Sequence, residues 1–112
     1  MGKDSLTLLK GTLDLLILKT LSLGPLHGYE IAKWVRRQTG EAIDIEYGAL
    51  YQALLRLEGR GWLEAEWRTS STGREVRFYD LTAEGREQLA EQSESWDRYV
   101  VAMASVLKAA EA

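Results

Sequence analysis

Apolar residues crowd the chain between Leu6 and Leu23, at Leu6, Leu8, Leu9, Leu13, Leu15, Leu16, Ile17, Leu18, Leu21 and Leu23, and stop at Gly24-Pro25. That density predicts a first helix that is apolar around most of its circumference. Either it is the central helix of a small bundle, or part of it packs on a second subunit; the second is expected, with Leu9 and Leu13 at the contact. A second helix should open at His27-Gly28, with Glu30 favourable in its first turn, His27 suited to capping, and Arg36 and Arg37 complementing the dipole before Gly40. Leu50, Leu54 and Leu57 then recur at i, i+4, i+7, which predicts a third helix beginning near Glu46 or Tyr47 with Tyr51, Gln52, Leu55 and Arg56 on the opposite face.

Gly59 and Gly61 end that pattern, and the period changes to that of strands. Trp62 to Arg68 and Glu75 to Leu81 read as a hairpin around the polar turn Thr69-Ser70-Ser71-Thr72-Gly73. Thr82, with Glu84 behind it, marks the start of a last helix reaching about Lys108. Its apolar positions Leu89, Trp96, Val100, Met103 and Leu107 are spaced 7, 4, 3 and 4, the seam of a coiled coil. A long helix with one apolar stripe needs a cover, so a two-fold homodimer is expected through these residues. The predicted fold is mainly α with a small β-hairpin wing (α+β): a winged helix-turn-helix in residues 5–81, then a dimerisation helix in 82–112. An amphipathic helix running into a hairpin that carries arginines is a way of gripping DNA, with the helix in the major groove and the wing on the adjacent backbone.

Composition narrows the alternatives. Hydrophobic residues make up 46% and charged residues 28%, the range of an ordinary globular domain rather than a disordered or membrane protein. The first apolar run is too short to span a bilayer, and Asp4 and Asp14 are unlike a signal peptide, so the cytoplasm is the expected compartment. No cysteine is present, and His27 is the single histidine, which leaves no thiolate chemistry and no metal or catalytic site except one built from carboxylates. With no nucleophile–base pair and no glycine-rich phosphate loop, an enzyme is not expected, nor is a cofactor.

The net charge of −3 argues against DNA until it is mapped. From Leu81 onward, Arg86, Arg98 and Lys108 face six acidic residues, so the tail carries the whole imbalance and residues 1–80 are neutral overall. From Trp67 to Tyr79, around the tip of the hairpin, Arg68, Arg74 and Arg77 stand against Glu75 alone, a small positive patch.

Three blocks, PLHGYEI at 25–31, GALYQALLRLEGRGWL at 48–63 and GREVRFYDLTAEG at 73–85, resemble the PadR family of bacterial transcriptional regulators in order and spacing, over nearly the whole chain. The long C-terminal helix makes it similar to the short members with a single such helix. The resemblance implies a dimeric winged helix-turn-helix repressor that binds an inverted repeat and is often released by a small molecule. Two positions depart from the family pattern: Ala49 stands where serine or threonine is usual, and Gln52 where proline is frequent. Glu75-Val76 also replaces a commonly more basic pair in the wing, which implies weaker phosphate affinity.

Mapped onto this chain, Tyr47, Gly48, Ala49, Tyr51 and Gln52 face the DNA, with Gln52 able to pair with adenine. Arg56 is expected on a phosphate or a guanine edge, and Arg74 and Arg77 on the backbone. Each has a structural rival: core packing for Tyr51, and surface pairing for Arg56 and for Arg77, the latter with Glu64 or Glu66 across the sheet. Trp96 stands where multidrug-sensing relatives have an indole at the subunit interface. It either plugs the dimer seam or, with Asp97 and Glu94 as a negative rim, helps hold a small hydrophobic or aromatic effector. The leading reading is a DNA-binding regulator; the alternative is a winged-helix protein-interaction module without specific DNA binding.

Overall fold

The structure, a computed structural model, describes residues 11–110. Helix α1 (Thr12–Leu21) leads through a short strand β1 (Leu26–His27) into α2 (Gly28–Gln38) and α3 (Tyr47–Gly59). Strands β2 (Leu63–Thr69) and β3 (Glu75–Leu81) follow, and α4 (Ala83–Leu107) closes the chain. This is the winged helix-turn-helix with a long C-terminal helix that the periodicity predicts. Leu9, expected at a subunit contact, lies outside the described residues.

The wing differs from the expected two-stranded hairpin. It is a three-stranded antiparallel sheet in the order β1-β3-β2, with Leu26 opposite Tyr79 and His27 opposite Phe78. A two-residue strand is too short to show alternation, so the pattern of apolar residues could not reveal it. His27 sits at the N-cap of α2, but its side chain makes no capping bond. Its ring instead packs edge-on against Phe78, with centroids 5.5 Å apart, because β1 pairing draws it to the sheet.

Each element contributes one face to a single core: Ile17, Leu18 and Leu21 from α1, Ile31 and Val35 from α2, Leu50, Leu54 and Leu57 from α3, and Leu63, Tyr79 and Leu81 from the sheet. Burying these side chains removes apolar surface from water and drives the assembly of the domain. Thr20, fully buried on α1, donates its hydroxyl to the Leu16 carbonyl at 2.7 Å, which satisfies its polar atom within its own helix.

The start of α4 is locked to the base of the wing. Thr82 Oγ1 accepts from the Gly85 N–H at 3.0 Å, as its predicted N-cap role requires, and donates to the Gly61 carbonyl at 2.7 Å. Gly85 passes so close to the Trp62 carbonyl that a β-carbon would lie 2.1 Å from that oxygen, so no larger residue fits. Beyond this anchor α4 runs past α1 and on into solvent: Leu89 still packs on the core, but Gly85 is its only buried residue. The radius of gyration of 16.1 Å exceeds the ~13 Å of a compact chain of this size, and the longest extent is 63 Å. Among the described residues no helix is long and apolar enough to cross a membrane.

Candidate nucleic-acid interface

Helices α2 and α3 form the helix-turn-helix, and α3 divides cleanly. Leu50, Ala53, Leu54 and Leu57 are buried, while Tyr47, Gly48, Ala49, Tyr51, Gln52, Leu55 and Arg56 are exposed. Gly28, the first residue of α2, sets the fit between the two helices, because a β-carbon there would come 2.7 Å from the ring of Tyr51. Tyr51 is therefore neither a core residue nor free; one edge of its ring and its hydroxyl rest on the start of α2, and the side chain is otherwise exposed.

Around this contact the rings form a continuous row. Phe78 meets His27, His27 stacks on Tyr29 at 6.3 Å, Tyr29 lies 5.6 Å from Tyr47, and Tyr47 lies 6.5 Å from Tyr51. The row joins strand β3 to the outward face of α3. Partial burial, together with the neighbouring Tyr29, raises the Tyr47 pKa, so this phenol stays a neutral donor at any physiological pH. Tyr29 was not among the residues singled out from sequence. Its signal was present, since a tyrosine on the polar side of the second helix has no place in the core pattern.

The arginines are less available than their positions in the sequence suggest. Arg56 pairs with Asp14 of α1, and Arg77 donates to Glu58 of α3 at 2.8 Å while its guanidinium lies 5.9 Å from the centre of the Trp67 ring. Arg77 does not pair across the sheet with Glu64 or Glu66, because its cross-strand neighbour is Trp67 and its side chain turns to α3. Arg68 donates to Glu66 through Nε and a terminal nitrogen at 3.0 and 2.7 Å and lies over Phe78. Arg74, in contrast, is exposed at the wing turn and, among the described residues, has no carboxylate partner. The turn that presents it is closed by Gly73, whose φ of 84° suits glycine, and by the Ser70 N–H donating to the Arg74 carbonyl at 2.7 Å.

Between them α1 and α4 enclose an open groove of about 470 Å³ lined by Gly11, Thr12, Leu15, Gln92, Ser95, Trp96 and Tyr99. The Trp96 and Tyr99 rings are 6.2 Å apart and tilted by 36°. Asp97, expected beside Trp96 at a ligand rim, is not part of this lining, since one residue along a helix is a rotation of ~100°. Leu13 and Leu89 pack against the domain core, whereas Trp96, Val100, Met103 and Leu107 remain exposed along α4.

Comparison with known proteins agrees with this architecture. A transcriptional regulator from Clostridium thermocellum is 28% identical and superimposes over 94% of this chain and 96% of its own with a TM-score of 0.80. PadR family regulators from Eggerthella lenta and Clostridium difficile are each 30% identical. The first covers 90% of this chain and 86% of its own at a TM-score of 0.79, the second 88% and 100% at 0.73. An uncharacterized protein of Lysinibacillus sphaericus is 29% identical over 89 residues, 80% of this chain and 82% of its own. The profile of the Transcriptional regulator PadR-like family matches residues 17–91, the span from the core of α1 through the helix-turn-helix and wing into α4, and the chain belongs to that family.

Proposed function

We propose that this member of the PadR-like family, a transcriptional regulator rather than an enzyme, acts as a homodimeric repressor in the cytoplasm. Residues 5–81 hold the DNA and residues 82–112 hold the dimer together. In this reading α3 enters the major groove with Tyr51 and Gln52 toward the bases, and Tyr29 and Tyr47 donate to phosphates. Arg74 holds the backbone from the wing. Two such units bind an inverted repeat with half-sites ~10 bp apart, centre to centre. The observation that carries this is the outward face of α3, a row of exposed side chains that the core does not use.

The groove beside Trp96 is of a size that suits a small aromatic effector, and its walls come from both α1 and α4. An occupant that favours one arrangement of α1 against α4 shifts the separation of the two recognition helices, and with it DNA affinity.

The test is fluorescence anisotropy of the purified protein on its own upstream intergenic DNA and on a scrambled duplex, each at several salt concentrations. Tighter binding to the native fragment that weakens as salt rises supports the reading. Equal, weak binding to both, followed by failure to select any preferred duplex from random sequence, removes it in favour of a protein-interaction module.

A further inference from the structure

Leu55 is an apolar side chain where a solvated helix would place a polar one: it is 62% exposed, at the centre of the outward face of α3. The core does not need it, since Leu50, Ala53, Leu54 and Leu57 already fill the inward face. Along the helix it belongs to the stripe Gly48, Gln52, Leu55, Gly59, spaced 4, 3 and 4. The two glycines are not required by internal packing. A β-carbon on Gly59 would meet nothing within 4 Å, and one on Gly48 would meet only the end of the Glu46 side chain at 3.2 Å. Neither has a positive φ, so no backbone strain calls for them. A helix that gives up side chains at both ends of one stripe, and keeps an amide and an apolar group between them, is shaped to approach a partner closely there.

Resting on the DNA-binding reading above, we infer that Leu55 is a specificity-determining residue that packs on the 5-methyl group of a thymine, next to the adenine paired by Gln52. The thymine methyl is the one apolar feature of the major-groove edge, and the amide of glutamine matches adenine N6 and N7. Gln52 and Leu55 are ~4.5 Å apart along the helix axis, against ~3.4 Å per base pair, so with α3 along the groove they read neighbouring pairs. Each half-site then contains two adjacent A·T pairs. A cytosine offers Leu55 no methyl, so G·C at this position is disfavoured without any repelling charge.

The experiment uses the full chain and a duplex selected from random sequence by the purified protein. Each thymine is replaced in turn by deoxyuridine, which removes only the methyl group. One position per half-site should weaken wild-type binding about fourfold, the effect of losing one buried methyl-sized group. Leu55→Ala, at a solvent-facing position that leaves the fold intact by circular dichroism, should bind thymine and deoxyuridine duplexes equally at that position. Sequence-specific binding with no sensitive thymine, or with the same sensitivity in Leu55→Ala, overturns the role of Leu55 while leaving the regulator reading in place. Absence of any preferred duplex overturns both.

Discussion

Gly28 shows how one residue without a side chain can organise a surface. Because a β-carbon there would strike the Tyr51 ring, Gly28→Ala should swing that ring away from α2 and lower DNA affinity about tenfold, at a stability cost of about 1 kcal/mol. In a Tyr51→Ala background the same change should be neutral or slightly stabilising, since alanine is the better helix former. A double-mutant cycle by urea unfolding and anisotropy reads both quantities, and additive effects would deny the contact.

Tyr79 provides a second test at this scale. Burial raises its pKa above that of an exposed phenol, so the folded state holds its proton longer than the unfolded chain does. Its contribution is complete below the unfolded value of ~10 and is lost as pH rises through the folded one. Stability should therefore fall above about pH 10, and less steeply in Tyr79→Phe, in urea titrations at graded pH.

Periodicity identified Leu50, Leu54 and Leu57 and the Thr82 cap, because those roles depend on neighbours along the chain. It did not reveal the partners of Arg56 and Arg77. Asp14 and Glu58 reach them only once helices and strands distant in sequence have packed.

Between elements, the pairing of Asp14 with Arg56 ties α1 to α3. The same helix α1 lines the groove beside Trp96 through Thr12 and Leu15, so the ion pair connects the two regions in which an effector and DNA are proposed to bind. The Arg56 side chain is 44% exposed but that of Asp14 only 15%, so the pair is only partly screened by solvent and contributes about 1 kcal/mol. Asp14→Asn should lower the unfolding midpoint slightly while freeing Arg56. Affinity for DNA should then rise at low salt, and log K should fall more steeply with log salt by about one unit per subunit. A slope identical to wild type would show that Arg56 does not reach phosphate. In the same assay Trp96→Ala should keep wild-type DNA affinity but lose any response to an added planar aromatic ligand; a retained response would place the effector elsewhere.

Taken whole, the molecule is a compact head on a long, uncovered helix. Trp96, Val100, Met103 and Leu107 leave an apolar stripe in water that a second copy is proposed to cover. Met103→Glu should raise the dimer dissociation constant about a hundredfold by burying an unpaired charge at the seam, and should abolish tight DNA binding with it. Val101→Glu, two residues away but off the seam, should do neither; sedimentation at graded concentrations distinguishes them. The spacing of apolar residues on α4 made this stripe legible without coordinates, whereas the groove beside it was not, because its wall is shared with α1.

The bond network at Thr82 and the tight passage of Gly85 make the head and the base of α4 one rigid piece. The 25 residues of α4 then act as a lever about 37 Å long. A tilt of ~5° at its distal end moves the near end by ~3 Å, close to the rise of one base pair. In the proposed dimer, a change at the seam too small to disturb any single contact is thereby converted into a one-step error in how far apart the two heads are held, which is the quantity the proposed inverted repeat measures.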